Sequence, residues 1–79
     1  MKEVEKKILP KYFKEVYAGN KRFELRKDED DIQVGDRLWL REWNGKKYTG
    51  NGYITTVTYV LRNVPEYGLA EGYCIIGWK

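Results

Sequence analysis

Seventy-nine residues with a net charge of +3 predict one domain, residues 1–79, that buries only about 60–65% of its unfolded surface and has little core to give to a deep internal cavity. With no His, no Ser and a single Cys, serine triads, Cys-His dyads, an intramolecular disulfide and His-liganded or zinc metal sites are excluded. No secretory apolar segment or long apolar stretch is present, so the chain reads as cytoplasmic, with no membrane partner, metal or cofactor expected.

Val4–Leu9 predicts a first strand, and Pro10 supplies the fixed φ that suits the first turn of a helix. That helix is predicted over Pro10–Ala18, with Tyr12, Phe13, Val16 and Tyr17 as an apolar stripe at helical spacing and Gly19 ending it in the left-handed conformation. Lys21–Arg26 predicts a second strand in which Phe23 and Leu25 share one face and Glu24 and Arg26 the other. Being the apolar pair, Phe23 and Leu25 are expected in the core. Lys27–Asp31 follows as an exposed turn, and Ile32–Asp36 as a second turn with Val34 tucked in and Gly35 bending the backbone.

From Arg37 to Trp43 the chain alternates: Leu38 and Leu40 face one way, and Arg37, Trp39, Arg41 and Trp43 the other, the period of a half-buried strand. Asn44-Gly45 is a hairpin signal. Gly52–Leu61, rich in β-branched and aromatic residues, predicts a long fourth strand contributing Val57 to the core. Arg62–Tyr73 is a connection with Pro65, Gly68 and Gly72 and one helical turn near Leu69, before a last strand Cys74–Trp78 whose cysteine is expected in the core. The predicted fold class is mainly β with one or two short helices, about five strands forming a partly closed barrel.

Charge is unevenly distributed. Residues 1–27 carry nine Lys or Arg against four Glu, whereas residues 28–36 carry five acids and no base. A basic amino-terminal surface beside an acidic loop can attract an anionic polymer and orient it, although charge alone, with no single continuous basic run, favours a solvated, charge-balanced exterior.

The sharpest motif is Gly19-Asn20-Lys21-Arg22-Phe23-Glu24-Leu25-Arg26, which gathers ionisable side chains of both signs around a glycine turn. Its pattern G-x-K-x-x-E-x-R resembles the signature of the ASCH superfamily, small β-barrel domains related to the PUA fold. The likeness extends to Ile8-Leu9-Pro10, Val34-Gly35-Asp36, Tyr48-Thr49-Gly50 and Gly68-Leu69-Ala70-Glu71-Gly72-Tyr73, in an order matching a branch of small stand-alone RNA-binding domains. Relatives in that branch often carry a His early in the first strand, where this chain has Val4. The resemblance implies a PUA-like barrel that binds RNA. It also brings in amidohydrolases that deacetylate a modified cytidine, N4-acetylcytidine, in which a Lys and a Thr of the signature work with a downstream Glu. Lys21 matches the Lys, Glu24 stands in place of the Thr, and Glu66 and Glu71 are loose candidates for the third partner.

These readings converge on a module for RNA or a nucleotide-like ligand, with Lys21 and Arg26 on phosphate and Glu24 orienting them or accepting from a base amino group. With a cation on either side Glu24 is poorly suited to take up a proton, which favours recognition over chemistry. As an enzyme, the chain would rely on Lys21 and Glu24, as an amidohydrolase or a ribonuclease. Arg41 and Trp43, alternating with Trp39 along one strand as guanidinium and aromatic groups that can stack on exposed bases, offer a second candidate surface, and Tyr59 a candidate cleft lining. One of Trp39 and Trp43 is expected to pack under the helix or the last strand. A protein-interaction module with a regulatory, coactivator-like role is the third class.

Overall fold

Alternating apolar and polar side chains give this chain five strands, and proline at the first helical position starts its one α-helix. The computed structural model describes residues 1–79. The elements run β1 (Glu3–Ile8), α1 (Pro10–Tyr17), β2 (Phe23–Lys27), β3 (Arg37–Trp43), β4 (Tyr48–Arg62), a 3-10 turn (Pro65–Tyr67) and β5 (Tyr73–Trp78). No helix is long and apolar enough to cross a membrane.

The strands form one mixed sheet in the order β1-β3-β4-β5-β2, with β1 parallel to β3 and every other neighbour antiparallel. Its fifteen-residue strand β4 serves two partners in succession. Tyr48–Thr56 pairs with β3 and Val57–Arg62 with β5, and the register slips between Val57 and Tyr59. Such an irregularity raises local twist and bends the strand, so the sheet curls. Its edges, β1 and β2, approach each other without a backbone ladder: the barrel is partly closed.

Eleven side chains form the core, with Leu38, Leu40, Val57, Cys74 and Ile76 almost wholly excluded from solvent and Phe13 and Val16 packed down from α1. Two carboxylates are buried with them, Glu24 and Asp36. The Asp36 carboxylate accepts hydrogen bonds from the backbone N–H of Gln33 at 2.9 Å and of Lys2 at 3.0 Å, and from the Lys2 ammonium at 3.0 Å. It therefore ties the chain's beginning to the turn that opens β3.

Several predicted features hold. Gly19 and Gly35 take positive φ of 82° and 98°, and the Asn44 side chain accepts from the backbone of Lys46 and Lys47 to shape the hairpin. Others are corrected. Tyr12 and Tyr17 lie on exposed flanks of α1, because an eight-residue helix laid on a curved sheet buries only the Phe13–Val16 line. Val34 is exposed and Ile32 is the residue tucked in. The buried tryptophan is Trp78, and Trp39 and Trp43 stay half-buried on the outer face of β3. The helical turn falls at Pro65–Tyr67, ahead of Leu69.

The most consequential correction concerns β2. Its alternation is as expected, but its sense is inverted: Phe23 and Leu25 are 48% and 57% exposed, and Glu24 is 5% exposed. Glu24 pairs with the buried Ile76 of β5, while Phe23 sits opposite Gly77. A carboxylate can occupy the inner face only if its charge is matched, and the neighbouring residues match it.

Candidate functional site: a charged seam between the edge strands

After Gly19 breaks the helix, the backbone N–H groups of Asn20 and Lys21 both donate to the Glu15 carbonyl, at 2.9 and 3.0 Å. Helix end and turn are thereby locked, and Lys21 is set just ahead of β2. The Lys21 ammonium donates to the Phe23 carbonyl at 2.7 Å and to Glu24 Oε1. From the other side, Arg26 Nε donates to Glu24 Oε2 at 2.7 Å. Each carboxylate oxygen thus has its own cation, and the three side chains are mostly buried, at 17%, 7% and 25% exposure for Lys21, Glu24 and Arg26.

Arg26 also reaches beyond β2. Its Nη2 donates to the main-chain carbonyl of Lys7 on β1, so a guanidinium spans the seam that the backbone leaves open. Two shallow clefts meet at Glu24. One, about 240 Å³, runs toward Lys7, Ile8 and Arg26; the other, about 290 Å³, runs toward Lys21 and Phe23. Tyr12 and Leu25 line both, and both are about half exposed, so the clefts open to solvent along the seam.

Larger hollows lack such chemistry. A 410 Å³ depression between α1 and the start of β4 is lined by Phe13, Tyr17, Gly50, Asn51 and Gly52, with no charged side chain. A 610 Å³ one beside Met1 and Gln33 holds only Lys2 and Asp36, which are paired with each other.

Of the residues singled out in the sequence, Lys21, Glu24 and Arg26 come together at this seam. Arg41 and Trp43 do not join them. They stand on the outer face of β3, where the Arg41 guanidinium lies 3.7 Å from the Tyr48 ring centroid and bonds Glu5 at 2.9 Å. The Lys7 ammonium sits 4.0 Å from the Trp43 ring. These cations and rings are engaged with one another. Tyr59 is 64% exposed on the outside of β4, away from both clefts, because it points opposite to the inward Val60. Glu66 and Glu71 belong to the exposed connection before β5 and line neither cleft.

Sequence reasoning missed Lys7 and Tyr12 as seam residues. No local signal marks them, since the approach of β1 to β2 depends on the curl of the whole sheet. The acidic loop is also more constrained than its charge suggests. Arg62 holds Asp28 at 2.7 and 3.2 Å and donates to the Ile32 carbonyl, while Lys6 holds Asp30 at 2.5 Å and Glu29 at 3.5 Å.

Residues 4–78 match a family described as a domain of unknown function, DUF3850, and the chain belongs to that family. It is also similar to an uncharacterized 12.9 kDa protein in the GpA 3' region of Escherichia phage P2, with 39% identity over 68 residues, 82% of this chain. The aligned region spans 62% of that phage protein's length.

Proposed function

We propose that the seam binds RNA or a nucleotide-like ligand, as an ASCH-like module of PUA-related architecture would. The observation that carries this reading is the buried Glu24 with a separate cation on each oxygen. An ammonium has three N–H donors and a guanidinium five, and two of each are taken by Glu24 and main-chain carbonyls. The remaining donors of Lys21 and Arg26 are oriented by those bonds along an open cleft. They suit phosphate oxygens, for which charge-assisted and forked hydrogen bonds are the strongest available.

Glu24 then acts by positioning. Each of its oxygens already accepts from a cation, and a carboxylate held between two positive charges is favoured in its ionised form, which suits recognition better than the proton transfers of an amidohydrolase or ribonuclease. Clefts of this size and openness also fall below the enclosed pockets that take up small molecules whole. The acidic loop, tied to Lys6 beyond one end of the seam, directs an anionic ligand toward Lys21. Mass spectrometry of nucleic acids and metabolites that co-purify with the protein tests the reading. Enrichment of RNA or nucleotides that is lost in Lys21→Ala supports it, and an equal yield from the variant removes it.

A further inference from the structure

The inverted sense of β2 leaves an apolar sheet face partly uncovered, with Phe23, Leu25, Tyr59 and Tyr73 exposed, Leu61 and Ile75 half-buried, and Leu69 and Ala70 beside its Leu25–Tyr73 end. Phe23 and Leu25 of β2, Tyr73 and Ile75 of β5, and Tyr59 and Leu61 of β4 all point outward, since their alternates Glu24, Cys74, Ile76 and Val60 face the core. Gly77 is paired with Phe23 on one side and with Tyr59 on the other. Two exposed aromatic rings therefore flank a position that has no side chain.

Neighbouring strands lie about 4.8 Å apart, so Phe23 and Tyr59 stand about 10 Å from each other across Gly77. Two exposed rings at that separation leave room for one base on each. Charge selects the occupant. Neither β4 nor β5 contains an acid, and the one acid of β2 is the buried Glu24. The Lys21 ammonium lies 4.9 Å from the Phe23 ring, and Lys27 ends the same strand. A second copy of this face would bring cation against cation, whereas a polyanion with flat apolar rings matches both the aromatics and the charge.

We infer that the outer face of β2, β5 and β4 is a stacking platform for unpaired bases of a single-stranded nucleic acid, with Phe23 and Tyr59 as its rings. The inference rests on the preceding reading for the class of ligand; of its two rings, Phe23 also lines a seam cleft and Tyr59 lies outside both. Lys21 joins seam and platform, since it bonds Glu24 in the one and borders Phe23 on the other. A strand whose phosphate is held there lays its next bases over Phe23 toward Tyr59.

Anisotropy titrations of a labelled single-stranded RNA of about eight nucleotides, a length within the range one small β-barrel covers, test this. The same sequence as DNA and as a duplex is run alongside. Both rings are exposed, so Tyr59→Ala and Phe23→Ala keep the fold, which far-ultraviolet circular dichroism checks. Single strands should bind more tightly than the duplex, and each alanine should weaken binding about 5- to 150-fold, the range for losing one base–aromatic stack. Tyr59→Phe should bind as the parent does. If both alanine variants bind normally while Arg26→Ala weakens binding, the platform is overturned and the seam stands. If the ring variants lose affinity and Arg26→Ala does not, the platform stands without the seam. Binding of polyglutamate with no affinity for any strand assigns the face to acidic peptides and overturns the inference, as does absence of all binding.

Discussion

The guanidinium of Arg26 donates to the main-chain carbonyl of Lys7, so the two edge strands of the sheet are joined by a side chain where a closed barrel would have a ladder. Arg26→Ala removes that link and also leaves Glu24 Oε2 without its partner. An unsatisfied buried acceptor costs about 1–3 kcal/mol, and urea denaturation should show a loss in that range. Amide exchange in β2 should accelerate as well. Unchanged stability would mean that the seam holds together without the arginine.

What the sequence made legible follows from how local each feature is. Strand β3 was readable end to end because Leu38 and Leu40 alternate with larger, polar-tipped neighbours, and the hairpin because Asn44-Gly45 carries its own geometry. In β2 the alternation was readable but its sense was not. Periodicity says that Phe23 and Leu25 share a face, and only the register against β5 decides which face is inside. The spacing of Lys21 and Arg26 around Glu24 was the available clue, since it provides one cation for each oxygen of a carboxylate that is to be buried. Burial of Asp36 is only half local, since Gln33 donates from three residues away within the turn while Lys2 is brought in from the start of the chain.

The helix offers a direct contrast between a core and a surface aromatic. Phe13 is 6% exposed and Tyr17 72%, although the rings stack with centroids 6.1 Å apart. Phe13→Ala should destabilise the protein by about 3–5 kcal/mol, the usual range for emptying a buried phenylalanine site. That is a large share of the 5–15 kcal/mol available to a typical domain. Tyr17→Ala should change stability by no more than about 0.5 kcal/mol, as for surface positions generally. Equal effects in the two denaturation midpoints would contradict this assignment of the core.

Acid sensitivity should centre on Asp36. Hydrogen bonds from the Gln33 and Lys2 backbone, then from the Lys2 ammonium, hold its carboxyl far below the usual carboxylate range. With the folded-state value depressed, its contribution is complete above the unfolded value of about 3.9 and is lost as pH falls toward the folded one. Urea midpoints measured from about pH 5 down to pH 2 should therefore fall more steeply for the native protein than for Asp36→Asn. The variant should be the less stable at neutral pH, with the gap narrowing in acid. Parallel curves would show that Asp36 does not set the acid limb.

Cys74 gives a probe of the barrel's integrity. Burial, reinforced by the nearby Asp28 carboxylate, pushes its thiol above the ordinary range, and the side chain is almost completely covered. Thiolate is the reactive species, so a disulfide reagent at pH 8 should modify the folded protein far more slowly than the protein in urea. The rate should rise with denaturant in step with loss of structure. Rapid labelling under native conditions would indicate that β4 and β5 open locally around this residue.

Salt dependence distinguishes a focused site from a broad basic surface. The seam offers Lys21 and Arg26, and the platform adds Lys27, so about three phosphate contacts give a log–log slope near −2 for a single strand. A domain whose affinity came from its whole amino-terminal basic surface would show a much steeper one. Lys21→Ala and Arg26→Ala should each flatten the slope by about 0.7 while weakening binding. Catalysis predicts a different result from the same variants. Loss of a general acid or base lowers turnover about 10²–10⁴-fold, and affinity need not follow. Turnover of RNA or of N4-acetylcytidine that disappears in folded Lys21→Ala would overturn the recognition reading, because a module that only binds has no turnover for the substitution to abolish.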